Sequence, residues 1–484
     1  MWSAHEYASW SGFGANPVNT VFDPLRLGAV ALDVVAAGHA APTAIAARQT
    51  QRLARMLDAA QRGSRLYRER LKGRAKTGAP LSALAVVTRS ELMQRFDDWV
   101  TDPRLKLDEL CAHTADPARI GEPLLGRYLI WESSGTSGQP GIFVQDAQTM
   151  AVYDALEALR RSTPRPLSRW MDPLCLSERT AFVGATSGHF ASYVMFERLR
   201  QLNPWMAQTA RSFSILQPTD ALVQALNAFA PTVLATYPTA AALLADEAVN
   251  GRLNVNIREV WTGGETLSSV VRKCVQQALG CTVRNSYGAS EFLAMGWECT
   301  HGQLHVNADW LILEPVDEHY RPVPVGQPSC TVLLTHLANT VQPLIRYDLG
   351  DQITMHSEGC ACGSALPVVD VQGRQDAPLV MAGRDGKPVT LLPLALTTVM
   401  EDQAGVFDFQ LCQRDEHTLV LRLGLRGAAA VAVMARCQAA LKAFAATQSI
   451  ASFRVVEELG QPVSRGRSGK TRRVIASVAG APQT

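Results

Sequence analysis

The chain has 484 residues, 47% of them hydrophobic and 19% charged. At roughly 150 residues per domain this predicts two to four units with apolar material for large cores. A formal net charge of +2 excludes a whole-chain field for gripping nucleic acid or an anionic membrane, and the absence of a Gly-X-Y period excludes collagen. No apolar run reaches the ~18 to 20 residues of a spanning helix, since Leu27 to Ala47 is broken by Asp33, His39 and Pro42. Met1-Trp2-Ser3-Ala4-His5-Glu6 shows no basic-then-apolar leader, and ten cysteines are too sparse for a disulfide scaffold. The expectation is a reduced, cytoplasmic chain.

Residues 1 to about 110 read as mainly helical support, with Ala44 to Leu71 and Ser82 to Trp99 at helical spacing. Arg127 to Glu132 reads as a strand, followed by a Ser/Gly loop, a strand over Ile142 to Val144, and a helix capped by Asp146. Strands at Thr232 to Thr236 and Arg258 to Thr262 alternate with helices at Ala240 to Val249 and Leu267 to Leu279, which predicts α/β layers. After Asn285 the pattern turns strand-rich (Leu304 to Val306, Trp310 to Glu314, Cys330 to Thr335) and reads as a β subdomain. Beyond Gly373 a small α+β unit follows, with strands at Phe407 to Cys412 and Leu419 to Leu423 and a helix from Ala430 to Ala445.

Ser133-Ser134-Gly135-Thr136-Ser137-Gly138-Gln139-Pro140-Gly141 lies between two strands. Its glycines permit close backbone approach to an anion, and its N–H and O–H groups suit phosphate oxygens. On composition alone an ordinary hairpin turn is the commoner explanation. Gly469-Lys470-Thr471 is not a Walker loop, because Ser464 stands where the earlier Gly is required, and no GxGxxG appears. Asn285-Ser286-Tyr287-Gly288-Ala289-Ser290-Glu291, read as a loop after a strand, offers an aromatic face, a hydroxyl and a carboxylate. Arg346 to Asp351 and Gly373-Arg374-Gln375-Asp376 read singly as polar turns, and Arg465 to Arg473 as a solvated basic tail.

In this order the segments resemble the motifs of the adenylate-forming superfamily of acyl-CoA ligases, luciferases and peptide-synthetase adenylation domains. Ser133 to Pro140 is similar to its SSGT[TS]GxP loop, Tyr287 to Glu291 to YGxTE, and Gly263-Gly264-Glu265 to the preceding GGE. Asp351 is similar to the aspartate of [YR]xxGD, Gly373 to Asp376 to the GRxD hinge, and Ser468-Gly469-Lys470 to the C-terminal SGK. The Pro343 to Asp351 run, Leu304-His305-Val306 and Cys360-Ala361-Cys362-Gly363 resemble the phenylacetate-CoA ligase branch. Gly141 replaces a common Lys, Ser290 the usual Thr, and Met381 to Val389 diverge from the post-hinge loop.

The resemblance implies an α/β fold: a large multi-layer N-terminal domain over 1–373, and a small mobile α+β domain over 377–484 hinged at 374–376. It implies ATP, Mg²⁺ and CoA, and an aryl or arylacetic acid passing through an acyl-adenylate to a thioester. Ser133, Ser134, Gly135, Thr136, Ser137 and Gly138 would grip the β- and γ-phosphates. Tyr287 would stack on adenine, with Gly264, Glu265, Ser286, Gly288 and Ala289 around it. Ser290 would meet the α-phosphate, and Glu291 would hold Mg²⁺. Asp351 and Arg374 would bind the ribose, Lys470 the reacting carboxylate and α-phosphate, and Asp376 would be the pivot.

His189, Phe190 and Tyr237 are the expected acyl-pocket walls. A carrier-protein thiol or an amine is the alternative acceptor. A degenerate nucleotide-binding module is a further reading, opposed by Lys470, Glu291 and Asp351. No nucleic-acid or membrane partner is expected, and the sequence leaves the oligomeric state open, a dimer included. Cys299, Cys360 and Cys362 with a histidine have the composition of a structural Cys₃His zinc site. His305 is the preferred fourth ligand and His301 its rival; buried reduced thiols are the alternative.

Overall fold

The structure is a computed structural model and describes residues 21–72, 80–133, 140–160, 177–372, 378–451, 453–460 and 473–476. Short helices open the chain. Pro24–Gly38 starts on Asp23, whose carboxylate accepts the Arg26 N–H at 3.0 Å. The expected helix over Ala44 to Leu71 is two helices, Pro42–Gly63 and Arg65–Arg70. The break falls at Ser64 because its hydroxyl accepts the Tyr67 N–H at 3.2 Å and caps the second helix. Ser82 to Trp99 likewise resolves into the short helices Arg89–Gln94 and Phe96–Trp99.

This layer is not a separate body. Val34, Met56, Leu66 and Trp99 share one hydrophobic core with Trp131, Tyr153, Phe292 and Leu334. A buried ionic link reinforces it: Arg160 grips both carboxylate oxygens of Asp309 at 2.7 Å. Arg52 bonds Asp33 and the Asp309 carbonyl while its guanidinium lies 3.4 Å above the Trp310 ring.

A seven-stranded sheet forms the centre, in the order Ala210–Ser214, Thr180–Gly184, Val233–Thr236, Glu259–Thr262, Thr282–Ala289, Phe292–Glu298, Leu304–Val306. The first five run parallel, and the last two are antiparallel additions. Val183, Leu234, Val260 and Val283 pack on one side with Leu226, Leu244 and Val275 of the helices. That is the expected alternation, and the helices Pro238–Val249 and Ser269–Leu279 fall close to the predicted ranges. Asn285 to Ala289, expected as a loop, belongs to the strand Thr282–Ala289 and turns back through Phe292–Glu298. Gly288 makes this hairpin feasible, since a Cβ there would collide with the Leu293 carbonyl. Tyr347–Asp348, read as a turn, is a short strand beside Thr331–His336.

The C-terminal elements form a four-stranded sheet, in the order Arg454–Leu459, Thr418–Leu423, Phe409–Asp415, Val474–Ile475, with the helix Ala428–Thr447 beside it. Phe409, Leu421, Met434 and Leu441 make its core, which also takes in Ile215 and Ala240 from the central region. A single π-helical turn, Val399–Gln403, faces that region. Among the described residues no helix is long and apolar enough to cross a membrane.

Candidate active site

Strands Thr180–Gly184 and Val233–Thr236 are neighbours, but the chain leaves them in opposite directions across the sheet. In open α/β sheets the crevice beyond the carboxyl ends of such a pair is the default binding place. Here a cleft of about 2200 Å³ opens at those ends. It is lined by Phe190, Tyr237, Gly264, Tyr287, Glu291 and Asp351, and also by Ser133, Glu265, Ser286, Gly288, Ala289 and Ser290.

The hairpin side is tied together by hydrogen bonds. The Tyr287 hydroxyl donates to Asp351 at 3.0 Å, and the Tyr347 hydroxyl donates to Glu291 at 2.7 Å. Burial, then the adjoining carboxylates, pushes the Tyr287 phenol well above its usual range, so it stays a donor. Trp131 Nε1 donates to the Ser290 carbonyl at 2.8 Å. This docks the hairpin turn on the strand Leu129–Glu132, which leads directly into Ser133.

At Ser133 the backbone N–H donates to the Gly141 carbonyl at 2.9 Å, and its hydroxyl oxygen accepts from the Gly141 N–H and from Arg89 at 3.0 Å each. The two ends of the Ser/Gly loop are therefore pinned together, and the Ser133 hydroxyl is committed to that closure. Glu265 is engaged by Thr239. Its carboxylate accepts from the Thr239 N–H at 3.0 Å and from the Thr239 hydroxyl at 3.1 Å, holding the first turn of the helix after Tyr237. Gly264, at φ +77, lies against the Tyr237 ring, where a Cβ would stand 3.0 Å away.

His189 needs correction as a pocket wall. Residues Glu132 and Phe190 form a parallel bridge, and the His189 carbonyl accepts the Glu132 N–H at 2.9 Å. Because successive side chains on extended backbone point to opposite sides, Phe190 faces the cleft and His189 turns inward. It is 1% exposed and sits 5.6 Å from the His113 ring. Burial pushes its pKa down. Ser134, Gly135, Thr136, Ser137, Gly138, Arg374, Asp376 and Lys470 lie outside the described residues.

Sequence reading missed a second polar set, where the cleft meets the C-terminal sheet. Glu132, Glu401 and Arg473 line it. Arg473, 1% exposed, pairs with Glu401 and donates to the Phe407 carbonyl at 2.6 Å. Asp402 accepts from the Ser187 hydroxyl. Burial, then the nearby Asp402, raises the Glu132 carboxyl to about 7, and burial raises Asp402. Glu132 was findable from its place just before Ser133, whereas nothing local to Glu401 and Asp402 points to the cleft.

Away from the cleft, Cys299, His305, Cys360 and Cys362 bring their ligand atoms within 4.8 Å of one another. The structure thus selects His305 over His301, which is exposed with its ring 3.2 Å from the Thr300 hydroxyl.

No family model matches the chain. It is 29% identical over 210 residues to phenylacetate-coenzyme A ligase of Thermus thermophilus, a match covering 42% of this chain and 46% of that enzyme. It is 27% identical over 161 residues to indoleacetate–lysine synthetase of Pseudomonas savastanoi, covering 33% of this chain and 37% of that one. The chain thus spans less than half the length of these curated relatives. Over nearly full length it superimposes on 2-hydroxyisobutyryl-CoA ligase solved with 2-HIB-AMP and CoA in the thioesterification state. The TM-score is 0.56, with 19% identity and coverage of 96% of this chain and 94% of that one. The chain is accordingly similar in sequence, over part of its length, to phenylacetate-coenzyme A ligase, and it has the fold of 2-hydroxyisobutyryl-CoA ligase.

Proposed function

We propose that the chain is an AMP-forming acid–thiol ligase acting on an aryl or arylacetic acid, with CoA as acceptor. The observation that carries this is the convergence of Ser133, Tyr287 with Glu291, and Asp351, from three separate motifs, on one cleft at the carboxyl ends of the parallel strands. The relatives' names support the acid class, since phenylacetate and indoleacetate are both arylacetates. Phe182, Phe190 and Tyr237 give the cleft aromatic walls suited to such a ring.

A carboxylate is a poor electrophile because oxide is a poor leaving group. In the first half-reaction a substrate carboxylate oxygen bonds to the α-phosphorus of ATP and pyrophosphate leaves. In the second, the CoA thiol sulfur bonds to the acyl carbon, AMP leaves, and the thiol proton goes to solvent or a base. The protein's task is to position the reactants and neutralise charge on the phosphates. In this reading residues 133–138 receive the β- and γ-phosphates, Tyr287 packs on adenine and Asp351 with Arg374 takes the ribose. Ser290 faces the α-phosphate, and Lys470 neutralises the reacting oxygens. Glu291, whose carboxylate is oriented by Tyr347, would hold Mg²⁺, which supplies charge neutralisation for the departing pyrophosphate.

The proposed organisation is a large unit over 1–373 and a small one over 377–484 that turns about Asp376 between the half-reactions. Zinc enters as a structural ion only. A cytoplasmic site of action agrees with the free thiols of all described cysteines.

The similarity to indoleacetate–lysine synthetase favours one second reading, in which an amine takes the acyl group. The test is pyrophosphate release from ATP and Mg²⁺ across aryl, arylacetic and aliphatic acids, with CoA, lysine or neither. Acid-dependent release with an acyl-CoA product only when CoA is present supports the ligase. An amide product moves the assignment to the amine. No acid-dependent release, in protein shown to bind ATP, overturns the reading.

A further inference from the structure

The Cys299, His305, Cys360 and Cys362 cluster has the metrics of a metal site rather than of packed thiols. Cys299 Sγ and Cys360 Sγ are 3.7 Å apart, and Cys362 Sγ lies 3.3 Å from His305 Nε2. A disulfide would need about 2.05 Å. Ligands at about 2.3 Å (sulfur) and 2.05 Å (nitrogen) around a tetrahedral ion stand ~3.8 Å apart for S···S and ~3.5 Å for S···N. These two edges match that tetrahedron, and all four ligand atoms lie within 4.8 Å of one another.

The surroundings orient the ligands as well. His305 Nδ1 is 2.9 Å from the Leu366 carbonyl, so a proton there leaves Nε2 as the ligand atom. Trp297 stacks on the His305 ring at 5.1 Å, and His305 and Cys299 are 0% and 1% exposed. The Cys362 N–H points at Cys360 Sγ at 3.5 Å. Cys299 and the Cys360–Cys362 pair each sit on a tight turn. Gly302 N–H donates to the Cys299 carbonyl and Gly363 N–H to the Cys360 carbonyl, with Gly302 at φ +76 and Gly363 at φ +82, where other residues are strained.

We infer that these four residues hold one Zn²⁺ in a closed tetrahedral site, and that the ion clamps the turn joining strands Phe292–Glu298 and Leu304–Val306 to the loop between strands Gln352–Met355 and Val369–Gln372. That loop joins the strand starting directly after Asp351 to the strand ending directly before Gly373. One ion therefore fixes the mount of the Asp351 carboxylate and the strand pairing that precedes the proposed hinge in the chain. With every corner taken by protein, it has no open position for chemistry.

Metal content tests this on the full chain without substrate, so its outcome is independent of the ligase reading. Protein purified without chelator should carry about one zinc per chain, released in proportion to mercurial modification of the thiols. Cobalt exchanged into the site should show sulfur-to-cobalt charge transfer and the intense visible bands of a tetrahedral ion. Cys360→Ser and His305→Ala should drop the stoichiometry to near zero, lower the Tm and raise the KM for ATP several-fold, whereas His301→Ala should retain the metal. Wild-type protein with no metal, a Cys299–Cys360 disulfide found by mass spectrometry, or full stoichiometry in His305→Ala overturns the inference. Should the Cys360 and His305 variants fail to fold, the wild-type stoichiometry and cobalt spectrum still decide it.

Discussion

At the hairpin Thr282–Glu298, acceptors meet donors: Asp351 takes the Tyr287 hydroxyl, Glu291 the Tyr347 hydroxyl, and the Ser290 carbonyl the Trp131 indole. At the junction with the C-terminal sheet, Glu132, Glu401 and Asp402 crowd together, and Arg473 engages one of them, Glu401. The hairpin is thus set before any ligand arrives, as electrostatic preorganisation requires. The junction holds like charges in a poorly solvated space and eases them by keeping a proton on Glu132. The two sides of the cleft thus differ in kind: fixed hydrogen bonds on one, titratable charge on the other.

Four perturbations separate the two sides. Lys470→Ala has the largest expected effect, a fall of ~100-fold or more in acid-dependent ATP–pyrophosphate exchange with ATP binding largely kept. Near-normal exchange would remove Lys470 from the mechanism. Gly288→Ala should destabilise the chain by about 2 kcal/mol or more, because the hairpin backbone must open around the new methyl. Denaturant midpoints would show it, and an unchanged midpoint would mean the hairpin tolerates widening.

At the junction, Glu132 binds its proton more tightly when folded than when unfolded, with a folded pKa of about 7 against an ordinary 4.5. The stability this proton contributes is full below the unfolded value and is lost as the pH rises through about 7. Tm should therefore fall between those pH values more steeply in the wild type than in Glu132→Gln. In the proposed reading the wild-type KM for ATP should also climb above pH 7, as ionised Glu132 in the cleft would repel phosphates held by the loop that follows it. Parallel pH profiles in both proteins would show that Glu132 carries no such proton. Tyr347→Phe should be mildest, a loss of about 1 kcal/mol in orienting Glu291, read as a ~5-fold higher Mg²⁺ requirement with little change in fold. An unchanged Mg²⁺ titration would separate Tyr347 from metal binding.

The helix after Asp146 was legible because its cap and its apolar spacing are local, and the Asp146 carboxylate does accept the Thr149 N–H at 2.9 Å. The parallel strands were legible for the same reason. Tyr287, singled out from the sequence, does line the cleft, but its place on a strand was not legible, since a Gly-Ala-Ser run reads as a turn until Phe292–Glu298 pairs with it. His189 was misread because the alternation that turns it inward is imposed by a bridge to Glu132, far away in the chain.

What the sequence by itself determined is the set of chemical parts in order: the Ser/Gly loop, the Tyr-Gly-Ala-Ser-Glu run, Asp351, the three cysteines with two candidate histidines, and the layers that carry them. These depend on spacing along the backbone, which a sequence records directly. Tertiary structure alone decided which side chains meet: Tyr287 with Asp351, Tyr347 with Glu291, His305 rather than His301 beside the thiols, and the carboxylates gathered around Glu132. Those meetings depend on strand order and on which face each residue presents, and both are set by burial across the whole chain rather than by any local run of residues.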